Sequence, residues 1–287
     1  MTANWLLAHG RRLELGPRGL VMGVLNVTPD SFSDGGRFAS LQAALAQAER
    51  MAGEGADIID VGGESTRPGG AAVTAAEEQA RILPVIEQIA TRLGTAISVD
   101  TYRAETAGLA LEAGAHIVND VWGLQRDGAI ADLAATTGAG LVIMHTGRER
   151  RKLPDVIDDQ FSFLDRSVAI ARKAGVADEQ IMLDPGFGFA KDVDENLALM
   201  ARFEELHALG FPLLVGTSRK RFVGAVTGRD GDDRDLGTAA TSAILRLKGA
   251  AIVRVHDVAT NIDAVRMADA VLAQASLPAE ATMPEDE

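Results

Sequence analysis

The chain has 287 residues, 47% of them hydrophobic and 24% charged, with a formal net charge of −13 and no cysteine, which provides for a large core and excludes global disorder, disulfides and cysteine-ligated metals. The acidic balance and an aromatic content of 4% argue against a nucleic-acid surface, so an anionic ligand would need a local cluster of cations. No apolar run approaches the roughly 20 residues of a membrane span, and the opening MTANWLLAHGRR lacks the basic-then-apolar order of a secretory leader, so a cytoplasmic protein with no membrane or nucleic-acid partner is expected.

In chain order, 13–15, the turn Gly16-Pro17-Arg18-Gly19 and the strand opening at Leu20 read as a short hairpin able to close the bottom of a barrel. The run 21–25 is apolar on both faces, as a fully buried strand requires, and ends abruptly at Asn26 in a Gly/Ser/Asp loop. A helix follows over 40–55 with Ser40 as its N-cap, then a second strand over 57–61. Thr74 and Glu77 form a capping box for a helix over 74–93. Strands over 96–99, 115–118, 140–144, 181–183, 212–215 and 251–255 then alternate with helices over 103–113, 129–137, 158–174, 194–209, 219–226, 236–248 and 259–275. The acidic tail 277–287 is expected to be disordered.

Eight strand–helix units in about 260 residues match a (β/α)8 TIM barrel in the α/β class. The alternative, a doubly wound open sheet, lacks a Gly-x-Gly-x-x-Gly turn after the first strand. One domain over 1–276 is therefore expected, with 1–19 as an N-terminal hairpin region.

In a barrel all C-terminal strand ends share one face. Here they deliver Asn26, the stretch from Gly62 to Gly69, Asp100, Asn119-Asp120, His145, the stretch from Asp184 to Phe189, Gly216 to Lys220, and Arg254-Val255-His256. One polar residue after a strand is usually a cap, but eight of eight are not. Asp100, Asn119 and Asp184 follow apolar runs directly and should lie deep in the mouth, where carboxylates need donors. If protein arginines do not supply them, a nitrogen heterocycle would, and Asn offers both a donor and an acceptor to its edge. Arg254 and His256 face the same side of the last strand. With Arg67, Arg219 and Lys220 they make a cationic patch where barrels place phosphate. Asn26 is a candidate ligand for Mg2+ held mainly by substrate phosphates. Arg148–Lys152 reads as an exposed charge run. His9, His116 and His207 lie off this face and read as structural.

The motifs GVLNVTPDSFSDGG (23–36), DVGGESTRPG (60–69), SVDTYR (98–103), IVND (117–120), LDPGFGF (183–189), GTSRKRFVG (216–224) and RVH (254–256) resemble, in order, those of the dihydropteroate synthase family. The resemblance implies a TIM barrel, usually dimeric. It also implies condensation of 6-hydroxymethyl-7,8-dihydropterin diphosphate with 4-aminobenzoate at a site that sulfonamides block. By motif, Asp100, Asn119, Asp184 and Lys220 would hold the pterin, and Asn26, Arg67, Arg254 and His256 the diphosphate, with Mg2+ at Asn26. Phe32, Thr66, Pro68, Phe189, Ser218 and Lys220 would line the aminobenzoate pocket. Asp100, Asp184, Lys220 and Arg254 would be the catalytic set. The 28–36 and 63–70 loops are expected to close over the site. The chain departs from the family after the fifth strand, where Thr146-Gly147-Arg148-Glu149-Arg150 replaces the usual Met with a nearby Gly and Pro.

Two other readings fit the barrel. A pterin-binding methyltransferase domain would not need the Ser218–Lys220 and Arg254–His256 features. A catalytically silent paralogue would show losses among the assigned residues, and none is lost.

Overall fold

A computed structural model describes residues 3–28, 36–64 and 73–275. Strands β1 (Ala3–Leu6) and β2 (Arg12–Leu15) pair antiparallel in a small separate sheet. The parallel sheet comprises β3 (Leu20–Asn26), β4 (Ile58–Gly62), β5 (Ala96–Asp100), β6 (Ile117–Asp120), β7 (Gly140–Met144), β8 (Ile181–Asp184), β9 (Leu214–Val215) and β10 (Ile252–Val255). Its order is β8-β7-β6-β5-β4-β3-β10-β9, and a parallel bridge from Leu183 to Leu213 brings its two ends together. This is the expected barrel, nearly closed.

The helices are α1 (Gly36–Glu54), α2 (Ala75–Arg92), α3 (Ala104–Glu112), α4 (Ala129–Thr137), α5 (Val156–Ala174), α6 (Val193–Ala201), α7 (Arg221–Thr227), α8 (Asp235–Leu247) and α9 (Val258–Ala275). None of them is long and apolar enough to cross a membrane. The capping box of Thr74 and Glu77 opens α2 as expected.

Strand alternation sorts the core. Outward residues such as Val21, Ile59, Val61, Ile97, Val99, Leu141 and Val253 pack under the helices. The helices come so close at β3 that a Cβ on Gly23 would lie 2.9 Å from Met51 Sδ. Inward residues Met22, Ile58, Ala96, Ile117, Val142, Met182, Leu214 and Ile252 fill the lower barrel, and Trp5, Leu7 and Leu15 of the hairpin region plug it. Two residues further along five of these strands the inward positions change character, to Asp60, Ser98, Asn119, Asp184 and Arg254.

Among the boundaries that differ from expectation, three change how the elements connect. The hairpin partner of 12–15 is 3–6, not the strand at Leu20. The Gly16–Gly19 stretch is a crossing, held by Arg246 Nη2 on the Pro17 carbonyl at 2.8 Å and by Asp269 on the Gly19 amide at 2.9 Å. Helix α1 starts at Gly36, so Ser40 lies inside it and is not its cap; propensity places helix ends only to within a turn. The helix expected over 194–209 divides into α6 and a 3-10 turn over Phe203–Leu209. Phe203 and Leu206 are both buried, and a three-residue spacing suits either geometry.

Candidate active site

The upper inward layer is a ring of polar groups in an apolar wall. Arg254, from β10, reaches across the mouth. Its Nε donates to Asp60 Oδ2 at 2.6 Å and its Nη2 to Asp100 Oδ2 at 2.7 Å. Asn119 Nδ2 donates to the same Asp60 Oδ2 at 3.1 Å. A protein arginine therefore satisfies part of the deep acid, one of the two possibilities that the residues left open. The satisfaction is incomplete. Asp60 Oδ1, Asn119 Oδ1 and Ser98 Oγ are buried with no hydrogen-bond partner among the described residues. Each is costly in that state, and together they are a row of acceptors suited to a ligand edge rich in N–H groups.

Burial dominates the titration of the ring. It pushes the Asp100 carboxyl up to about 7, with Asp60 and Glu78 adding to the rise and Arg254 and Lys220 opposing it. It pushes Asp184 up to about 6 against the Gly186 amide, Lys220 and Arg254. Burial and Arg254 lower Lys220 to about 8. Burial works against the charge of Arg254 too, but Asp60 and Asp100 beside it hold the guanidinium above its ordinary value. Carboxyls titrating near neutrality beside fixed cations are what an ion-stabilising active site requires.

The rim carries the remaining described candidates. Lys220 Nζ lies 4.1 Å from the ring centroid of Phe189, and the guanidinium carbon of Arg148 lies 4.6 Å from it. Phe189 packs with Val121 and Met144, and Tyr102 and Trp122 flank this small apolar cluster. Ser218 Oγ contacts His256 Nδ1 at 2.9 Å and accepts the His256 backbone N–H at 3.1 Å, which joins the seventh and eighth strand ends. At the end of β3, Asn26 faces Asp100 across Gly62. A Cβ on that glycine would come within 3.8 Å of Asp100 Oδ2 and 3.9 Å of Asn26 Oδ1.

The structure thus brings Asp100, Asn119, Asp184, Lys220, Arg254, Asn26, Ser218, His256 and Phe189 to one end of the barrel. Phe32, Thr66, Arg67 and Pro68, and most of the two loops expected to close, lie outside the described residues. Arg219 does not belong to the cationic patch: Asp235 binds its Nε and Nη2 at 2.9 Å each. Nor is 148–152 a solvated charge run. Arg148 stacks on Phe189, Arg150 grips the buried Asp159 at 2.7 Å and Lys152 pairs with Glu195. His9, His116 and His207 bond to backbone away from the mouth.

Sequence reading missed Asp60. Its signal was present, as a carboxylate inside the apolar run Ile58-Ile59-Asp60-Val61, where only a paired charge is tolerable. Among the described residues no cluster of three His, Cys, Asp or Glu could hold a metal. Asn26 Oδ1 and Asp100 Oδ2 both lie on the open side of Gly62, and oxygen donors of that kind fit a hard cation that brings most of its own ligands.

Residues 22–256 match the family described as pterin binding enzyme. The dihydropteroate synthase of Bacillus subtilis is 50% identical over 253 residues, covering 88% of each chain. The dihydropteroate synthase of Clostridium difficile, solved in the presence of pteroic acid, has a TM-score of 0.87 and 45% identity, with 90% of this chain and 98% of that one covered. The Xanthomonas albilineans enzyme, solved with 4-aminobenzoic acid, has a TM-score of 0.89 and 41% identity, with 96% and 100% covered.

Proposed function

The chain belongs to the dihydropteroate synthases among the pterin-binding enzymes, and from that premise we propose how its barrel mouth divides the work. The reaction joins the amino nitrogen of 4-aminobenzoate to the exocyclic methylene of 6-hydroxymethyl-7,8-dihydropterin diphosphate. The C–O bond to diphosphate breaks, the C–N bond forms and the amine loses one proton.

The observation that carries the assignment is the row of buried acceptors on Asp60, Asn119 and Ser98 beside Asp100 and Asp184. The pterin's N–H groups satisfy these acceptors, and the carboxylates stabilise the electron-poor ring as the leaving group departs. Arg254 orders Asp60 and Asp100 through Nε and one Nη, and its remaining guanidinium protons point the diphosphate to the rim. His256, oriented by Ser218, joins it there, with Asn26 and Arg67. Mg2+ on the diphosphate would take an oxygen from Asn26 and supply charge neutralisation of the leaving group. Phe189, Ser218 and Lys220 wall the aminobenzoate side with Phe32, Thr66 and Pro68. An arylamine is neutral near pH 7, so this side has to position it more than deprotonate it.

A homodimer in the cytoplasm completes the proposal. Its support is the apolar surface on three consecutive helices: Val226 on α7, Leu236, Ile244 and Leu247 on α8, and Met267 and Val271 on α9 are all exposed. A patch of that kind marks an interface. In solution the mass should be near twice 30.1 kDa, and a monomer mass at micromolar concentration would refute the dimer. For the site, the protein is mixed with both substrates and Mg2+, and dihydropteroate and diphosphate are followed. Product should form with Mg2+ and fall sharply when the metal is chelated. Pterin binding without product would overturn the assignment of residues to catalysis.

A further inference from the structure

Behind the pterin side of the mouth lies a buried chain of charged groups to which the mechanism above gives no role. Lys191 is 9% exposed, follows the β8 loop and contacts no proposed substrate position. Its Nζ lies 2.8 Å from His145 Nδ1 and donates to the Gly186 carbonyl at 2.9 Å. His145 is fully buried at the end of β7, and its Nε2 lies 3.0 Å from Asp159 Oδ2. Arg150, from the stretch that departs from the family pattern, donates to both oxygens of Asp159, at 2.8 and 2.7 Å.

The chemistry fixes the protons. Burial lowers Lys191 to about 7, with Asp184 and Asp159 opposing the fall; in its charged form it has donors only, so His145 Nδ1 accepts and the imidazole carries its hydrogen on Nε2, facing Asp159. The Arg150 Nη2 proton near Nε2 then goes to Asp159. Burial lowers His145 to about 3, with Lys191 adding to the fall, so the ring is neutral. Asp159 stays ionised, because hydrogen bonds from His145 and Arg150 outweigh its burial.

Gly186 is where this chain meets the site. Its amide donates to Asp184 Oδ1 at 2.7 Å, while its carbonyl accepts from Lys191 and from the Phe189 amide at 3.1 Å. Its φ is +64°, and a Cβ there would lie 2.0 Å from the His145 carbonyl oxygen, so the peptide is trapped between the two loops. The His145 amide in turn donates to the Asp184 carbonyl at 2.8 Å. A buried ammonium is expensive where a methionine of similar volume would be cheap, and this one is spent on the peptide that aims a pterin-binding carboxylate.

We propose that Lys191 is a positioning residue for Asp184, acting through the Gly186 peptide and held in place by His145, Asp159 and Arg150. The inference rests on the assignment of Asp184 to the pterin. It gives the divergent fifth loop a role, since Arg150 keeps Asp159 compensated and His145 neutral. If Arg150 is removed, Asp159 draws a proton onto His145 Nδ1, which can then no longer accept from Lys191. The charged groups facing Asp184 are Lys220, Arg254 and Lys191. Those facing Lys191 are Asp184, Asp159, Lys152, Arg150 and His145.

The test is calorimetric binding of 6-hydroxymethylpterin to the full chain between pH 5 and 9, with folding checked by thermal melting. Lys191→Met should weaken pterin binding about tenfold at pH 7 and move the acid limb of binding to higher pH, because Asp184 loses a cation and an aimed donor. The KM for 4-aminobenzoate should change less than that for the pterin diphosphate. Arg150→Gln, at a half-buried position, should give a smaller loss of the same kind, about threefold, with Lys191 intact. Wild-type pterin affinity and pH profile in folded Lys191→Met would overturn the proposal; should that variant not fold, the same result for Arg150→Gln would. Failure of the wild-type chain to bind pterin would instead overturn the site assignment.

Discussion

The two ends of one barrel differ by two residues along five of its strands. At the lower end, Ile58, Ala96, Ile117, Met182 and Ile252 make an apolar layer sealed by Trp5. One inward step later the same strands present Asp60, Ser98, Asn119, Asp184 and Arg254. The lower layer has no polar side chain to satisfy and contributes stability through burial. The upper layer holds buried carboxylates, and three of its polar atoms have no partner among the described residues, so it costs stability, which binding returns. One scaffold keeps the two functions apart because strand alternation places both layers inward while the helices cover the outside.

That contrast can be broken most directly at the upper layer. Lys220→Ala and Asp184→Asn should each lower kcat/KM by about 100- to 1,000-fold while the melting temperature moves by only a few degrees. Steady-state release of diphosphate together with thermal melting checks this, and near-normal turnover in either variant would remove that residue from the site. The converse change belongs at the lower layer. Met22→Ala should cost about 2–5 kcal/mol of stability, read by urea unfolding, and leave the kinetic constants of the folded protein unaltered.

Acidity separates the layers more gently. Asp100 titrates near 7 and Asp184 near 6 when folded, both raised chiefly by burial. Since pterin N–H groups need ionised acceptors, pterin affinity should fall as pH drops through 7 and again through 6, and calorimetric titration across that range follows it. Stability runs the other way. A carboxyl raised in the folded state binds more protons there than in the unfolded chain, so these two groups make stability decline as pH rises from about 4 to 7. Asp100→Asn should flatten the upper part of that decline and weaken pterin binding at every pH. The smallest effect expected is remote from both layers. Thr74→Ala removes the capping box of α2 and should cost about 1 kcal/mol with no change in kinetics, measurable by urea unfolding.

The residues differ in how readily sequence betrayed them. Asp100, Asn119, Asp184 and Arg254 sit at strand ends after apolar runs, and period-two alternation alone turns them to one face. Asp60 lies inside its run and was overlooked, although an acid flanked by Ile59 and Val61 is itself conspicuous. The hairpin was expected in the right region with the wrong partner, because Gly16-Pro17-Arg18-Gly19 has turn composition but is held as a crossing by Arg246 and Asp269. The short seventh strand was overextended at Pro212, which has no N–H for a ladder; its carbonyl accepts from Leu183 instead.

Local pattern determined the eight units, the barrel they form and the set of residues at its mouth, because alternation and motif spacing are properties of neighbours along the chain. Which charges compensate which was decided only by the tertiary structure. Arg254 and Asp60 are 194 positions apart, Lys191 and His145 are 46 apart, and Arg219, the residue next to Ser218, turns away to Asp235. Pairing in a buried site depends on the distance and direction of side chains from different strands. Nothing in the spacing of residues along the chain records either until the barrel closes.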